Sequence, residues 1–194
     1  AFQIAGKPVF DRKEVVYDGN TQCGIIGGAL LAVSQDIKKG VLGVPGINYS
    51  TLLNRSVDFN KYAAVLYNMY PNRLAQQEIF GLMQMLWDRA EGNGYVEHIT
   101  DNPYPNTPAH QVLYMPAFGD HQVSTLTAEV AARTAGVPAH KPAWKTGRLW
   151  EKEPLWGIAR MPHTPYRGSG FFIWDSGSPA MPLGNVAPSS GADP

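Results

Sequence analysis

Apolar and polar positions alternate between two periods along this chain. Lys13 to Asp18 contains the β-rich run Glu14-Val15-Val16-Tyr17, closes at Gly19, and reads as a strand. Cys23 to Lys38 follows at helical spacing, with Ile25, Ile26, Leu30, Leu31 and Val33 apolar. The small pair Gly27-Gly28 would let that helix lie close to a sheet. Gly40 to Gly46 is a second short, apolar, Gly-bounded strand, and Asn48 to Tyr70 mixes loop and helix. Asn72 to Glu91 is the clearest helix, with Leu74, Ile79, Leu82, Met83, Leu86 and Trp87 recurring at helical spacing before Gly92 and Gly94. His110 to Ala117 reads as a third strand, followed by Gly119-Asp120. Val123 to Thr134 is a helix with Leu126, Val130 and Ala131 inward, ending at Gly136. Trp156 to Arg160 and Gly170 to Trp174 are short strand candidates. From Ser176 the chain turns rich in Gly, Pro, Ser and Asn and reads as an extended surface loop over 176–194.

Short apolar strands alternating with helices indicate an α/β fold: a mostly parallel sheet with helices on both faces. Residues 48–108 form a helical cap inserted after the second strand. The order is half of a doubly wound sheet, so the strand near Val15 and Val16 would present an open edge. Residues 1–194 are therefore expected to be the C-terminal portion of a domain. Its first strands would come from an N-terminal part of the same domain or from another polypeptide.

Composition narrows the function. The 194 residues carry equal numbers of acidic and basic side chains and no basic cluster, so nucleic acid is not an expected partner. No apolar run approaches the length of a transmembrane segment. The lone Cys23 excludes an internal disulfide and leaves the compartment open, secreted or cell-envelope placement included. The histidines lack metal-ligand spacing and no Gly-rich loop carries a Lys, so neither metal nor cofactor is expected.

The chemistry centres on Tyr17-Asp18-Gly19-Asn20-Thr21-Gln22-Cys23-Gly24, where a strand turns abruptly into a helix. A G-x-S-x-G turn at such a junction lifts a nucleophile to the top of a sheet and aims the following N–H groups at an oxyanion. Here Thr21 stands at the Ser position and Cys23 at the second Gly position. The segments Gly19-Asn20-Thr21-Gln22-Cys23-Gly24-Ile25, Val41-Leu42-Gly43-Val44-Pro45-Gly46, Leu53-Asn54-Arg55-Ser56-Val57-Asp58-Phe59, Gln84-Met85-Leu86-Trp87-Asp88-Arg89 and Phe118-Gly119-Asp120-His121-Gln122-Val123 occur in that order. Together they resemble a group of large bacterial α/β-hydrolase-like proteins, in which the turn usually reads Gly-Asn-Ser-Gln-Gly-Gly.

The resemblance implies an α/β-hydrolase fold and a hydrolase acting on an ester or amide bond of a small or lipid-like molecule. Thr21 would be the nucleophile, Asp120 the acid, and the backbone N–H groups of Gln22 and Cys23 the oxyanion donors. Asp120 can equally cap the helix that follows it. The base would be a histidine after the last strand. His98, His110, His121, His140 and His163 all precede that point, so it is expected beyond Pro194. The altered turn leaves three readings: Thr21 as a hindered nucleophile, Cys23 as a displaced thiol nucleophile, or an inactive homologue kept for binding or assembly. For Cys23 the simpler reading is a small buried residue under the helix.

Other residues have structural alternatives. Asp88 with Glu91 forms a possible carboxylate pair, but a solvated helix end accounts for them. Trp144, Trp150, Trp156 and Trp174 would line an acyl pocket or fill a core. Asn48-Tyr49-Ser50 and Asn54-Arg55-Ser56 match the glycosylation sequon, a pattern common by chance.

Overall fold

The computed structural model describes residues 2–11, 13–144 and 155–175. The expected loop from Ser176 and the continuation past Pro194 lie outside them. At the N-terminus, β1 (Gln3–Ile4) and β2 (Lys7–Pro8) form a small antiparallel hairpin. Its turn residues Ala5 and Gly6 both have positive φ, as a two-residue hairpin turn requires.

The main sheet has four parallel strands in sequential order: β3 (Val16–Asn20), β4 (Lys39–Gly43), β5 (Gln111–Met115) and β6 (Gly170–Phe171). Between β3 and β4 runs α1 (Gln22–Val33). Residues 44–110 separate β4 from β5 and carry α2 (Tyr49–Leu52), α3 (Asn60–Met69), α4 (Arg73–Trp87) and several short 3₁₀ turns. After β5 comes α5 (Thr125–Thr134), which ends at Gly136 with φ +65. The fold is mixed α/β, as the alternation of periods predicts.

Several boundaries move. β3 begins later than expected and continues through Gly19 to Asn20, so the glycine belongs to the strand. α1 stops at Val33, because the Ser34 hydroxyl accepts from the amide of Ile37 and the chain turns there into β4. Residues 155–157 form a turn; the expected strand from Trp156 reduces to one bridge between Arg160 and Ala139.

Side-chain alternation defines two unlike faces. Tyr17, Gly40, Val112 and Tyr114 lie on one face, in register with Leu42 and Phe171. That face is covered: Leu31 of α1 packs against Gly40, the Tyr17 ring lies under Gly27, and Ala128, Ala131 and Ala132 of α5 join the same buried cluster. On the opposite face Val16 is 54% exposed, while Val41, Leu113 and Met115 are half-buried. The expectation of helices on both faces is therefore met on one face only among the described residues.

α4 departs from its pattern in which face it buries. The helix is where its period places it, capped by Asn72, whose side chain accepts from the amides of Leu74 and Ala75. Its buried residues, however, are Gln76, Phe80 and Gln84, while Leu74, Leu82, Met85 and Leu86 face solvent.

Candidate functional site

β3 ends in a tight strand-to-helix turn. Thr21, between β3 and α1, has φ 54 and ψ −120. That region is unfavourable for any L-residue and more so for a β-branched one. The turn survives because its surroundings over-determine it. The Thr21 amide donates to the Gly43 carbonyl at 3.0 Å, and its own carbonyl accepts from Ile25 at 3.0 Å. The Tyr17 hydroxyl donates to the Cys23 carbonyl at 2.7 Å, tying the strand to the first turn of the helix. A Cβ at Gly19 would lie 2.6 Å from the Cys23 carbonyl oxygen, and one at Gly24 would collide with the Gly43 carbonyl. The glycines therefore allow strand and helix to approach within backbone contact.

A second strained residue sits beside the first. Val44, immediately after β4, has φ 39 and donates its amide to the Met115 carbonyl at 3.0 Å. Thus two β-branched residues at positive φ follow adjacent parallel strands, at the carboxyl edge of the sheet. Strain of this kind gathers at functional sites, and open parallel sheets bind ligands at that edge. The hydropathy pattern does not show Val44, because backbone strain leaves no hydrophobic signature.

At this edge Thr21, Gln22 and Cys23 are all exposed. Thr21 forms no side-chain capping bond, and the first amides of α1, at Gln22 and Cys23, have no acceptor among the described residues. An anion or a polarised carbonyl oxygen would be welcome there. The exposure of Cys23 overturns the expectation of a small residue buried under the helix. Gly24, one position on, takes the buried place against β4.

Asp120 is fully buried beyond the carboxyl end of β5, two strands from β3 in the same sheet. Its Oδ1 accepts from the amides of Gln122 at 2.8 Å and Val123 at 3.0 Å. These amides precede α5, whose N-cap is Ser124, so Asp120 braces the loop into the helix rather than capping it.

The described histidines take other partners. His98 has Nδ1 2.7 Å from the Asn102 carbonyl and stacks on Tyr104. His110 is buried, its ring nitrogens 3.3 Å from the Ile99 carbonyl and 2.9 Å from that of Ser34. Nδ1 of His121 is buried with no hydrogen-bond partner. His140 lies against Phe172 in a separate cavity with Met161 and Tyr166, and His163 is exposed.

The helical segment 44–110 reaches this edge through α2. Tyr49 accepts from the Gln22 side chain at 2.9 Å and meets Trp87 edge-on, its ring centroid 5.6 Å away. Burial raises the Tyr49 hydroxyl above its ordinary pKa, Gln22 opposes that, and the Glu91 charge adds to it. Glu91 anchors the arrangement. It is 1% exposed, and its Oε1 accepts from the amides of Asn48 at 3.0 Å and Tyr49 at 3.2 Å. The Gln84 side-chain amide donates to both Asp88 and Glu91, at 2.6 and 2.7 Å, and the Asn93 amide donates to Glu91 Oε2 at 2.7 Å. The solvated helix end expected for Asp88 and Glu91 is instead a hydrogen-bonded network in which Glu91 is buried and Asp88 half-buried. In the sequence this network leaves only the polar Gln84 on α4, and the helical period does not say that its face turns inward.

The tryptophans do not form one cluster. Trp144 packs on Phe118 with ring centroids 5.1 Å apart, Trp156 and Trp174 are mostly exposed, and Trp150 lies outside the described residues. No helix among the described residues is long and apolar enough to cross a membrane. No group of three or more potential metal ligands occurs among them either. Comparison with protein-family models, with curated proteins and with solved structures gives no match to this chain.

Proposed function

We propose that the carboxyl edge of the sheet is the catalytic site of an α/β-hydrolase-like enzyme acting on an ester or amide bond. The backbone of Thr21 carries this reading: a positive-φ residue at a strand-to-helix turn, its side chain exposed beside open amides. In this scheme Thr21 Oγ attacks the carbonyl carbon and gives its proton to a histidine supplied from outside the described residues. The imidazolium then protonates the leaving group, and water releases the acyl group from Thr21. The amides of Gln22 and Cys23 hold the oxyanion. Asp120, fixed by two backbone amides, orients the imidazole and stabilises its charged form.

One observation favours an inactive homologue used for binding or assembly: Thr21 brings a β-methyl to a strained turn where a serine would be less crowded. Labelling of the intact protein by a serine-directed phosphonate separates the readings. Thr21→Ser should raise the labelling rate by roughly tenfold, equivalent to about 1.4 kcal/mol, and Thr21→Ala should abolish it. A wild type that never labels, with no gain from Thr21→Ser, would establish the inactive homologue. Labelling by a thiol reagent, with turnover lost in Cys23→Ala, would move the nucleophile to the exposed thiol.

The same proposal includes a partner for the sheet. β3 is an edge strand, and the bond from Thr21 to Gly43 fixes which of its backbone groups face β4. By alternation, those of Val16, Asp18 and Asn20 face outward, free to pair with a strand from the same protein or from another polypeptide.

A further inference from the structure

The helical segment contains a cleft of about 970 Å³, between α2 and the turn that joins α3 to α4. Thr51, Asn54, Arg55, Tyr67, Arg73 and Gln77 contribute to its wall. Two arginines line it and no carboxylate does. The ion pairs seen among the described residues, Lys39 with Glu14 and Arg133 with Glu129, involve neither arginine. Two positive charges thus face one concave surface without neutralisation from its walls.

The wall is also built to donate. Arg55 spends one N–H, from Nη1, on the Thr51 carbonyl at 3.0 Å, which fixes the guanidinium and leaves other N–H groups of its fork available. Tyr67 donates to Asn54 Oδ1 at 3.0 Å, and Asn54 donates from Nδ2 to the Ser50 carbonyl at 2.7 Å. Gln76, at the back of the cleft, donates to the Tyr70 carbonyl at 2.7 Å. These bonds hold side-chain acceptors and donors in place before a ligand arrives. A guanidinium fork matches the spacing of two oxygens on one carboxylate or phosphate. The volume far exceeds that of a bare inorganic anion and suits a small organic molecule. The hydroxyl and amide groups around the arginines suit a ligand body rich in hydroxyls.

We propose that this cleft is a binding site for a hydroxylated organic oxyanion, a sugar acid or sugar phosphate in chemical class, held by Arg55 and Arg73. The site stands apart from the hydrolase reading, because its walls are complete without Thr21 or any histidine. The two remain close: Tyr49, which touches Gln22, and Thr51, which lines the cleft, belong to the same four-residue helix.

Equilibrium binding of glucuronate, glucose 6-phosphate and neutral glucose at low ionic strength tests the proposal. Saturable binding of at least one of the two anions, with glucose binding far more weakly, is expected, and the stronger anion identifies carboxylate or phosphate as the recognised group. Arg73→Gln should weaken it about tenfold, the scale of one charge-assisted bidentate contact. Arg73 is exposed and makes no side-chain hydrogen bond among the described residues, so this variant should keep the wild-type melting profile. Arg55→Gln should weaken binding similarly, and Thr21→Ala should leave it unchanged. Absence of saturable binding by either anion, equal binding of glucose, or unchanged affinity in Arg73→Gln would overturn the proposal. A silent phosphonate experiment with intact anion binding would remove the hydrolase reading alone.

Discussion

Glu91 shows how much one side chain can hold together here. It is a nearly inaccessible carboxylate that receives four donors from three segments of chain: the start of α2, α4, and the turn after α4. Burial raises its pKa above the ordinary 4.5; the hydrogen bonds from Asn93, Gln84, Tyr49 and Asn48 act in the opposite sense and are outweighed. The folded protein therefore keeps this proton to higher pH than the unfolded chain does. Its contribution to stability is fully present below the unfolded value and is lost as pH rises through the folded one. Urea denaturation across a pH series should show wild type losing stability relative to Glu91→Gln as pH climbs from about 4.5 toward neutrality. The glutamine variant changes the hydrogen bonds equally at every pH, so the slope is the readout. A stability difference flat with pH would remove the raised carboxyl from the account. Hydropathy could not reveal Glu91, since a carboxylate after a helix looks solvated until the amides of Asn48 and Tyr49 reach it from 43 and 42 residues away.

Among the elements, the two inner strands were readable, whereas the expected strand from Trp156 was not one. β4 and β5 appear as short apolar runs because Leu42, Val112 and Tyr114 are buried and Val41, Leu113 and Met115 half-buried, so little polar alternation survives. α4 was legible as a helix but not in its orientation. Period fixes which residues share a face, yet only tertiary packing decides which face turns inward; here Gln76 and Gln84 do, bonded to Tyr70, Ser50, Asp88 and Glu91. The turn at Thr21 was visible as a Gly-flanked junction, whereas the cleft of Arg55 and Arg73 was not. Its residues lie on α2, the following 3₁₀ turn, α3 and α4, and no local pattern joins them. β3 supports a prediction at this scale. Its outward backbone groups and the 54% exposed Val16 make it a template for another strand. Residues 1–194 alone should self-associate in light scattering, and Val16→Lys should shift the population toward monomer by placing a charge on that edge. A strictly monomeric wild type would count against β3 as an open pairing edge.

Across the whole molecule, the α/β architecture followed from the order of elements, but its one-sided covering did not. The apolar residues of the open face, Val41, Leu113 and Met115, carry the same hydrophobic signal as their buried neighbours. The long interval between β4 and β5 has a consequence in time. Only residues 21–38 lie between β3 and β4, and α1 occupies most of them. Residues 44–110 must be gathered before β5 can pair with β4. The interval is nearly fourfold longer, which adds only about 1 kcal/mol of closure entropy. We therefore expect the β3–α1–β4 unit to form ahead of the β4–β5 ladder by a factor of about five in rate rather than by orders of magnitude. Pulsed hydrogen exchange during refolding should protect the amide of Thr21 before that of Val44, because the first closes on β4 and the second waits for β5. Simultaneous protection of the two amides would mean that the helical segment folds as fast as the short crossover. If the order holds, the strained turn at Thr21 is set early, and β5, with Asp120 beyond its end, arrives only afterwards.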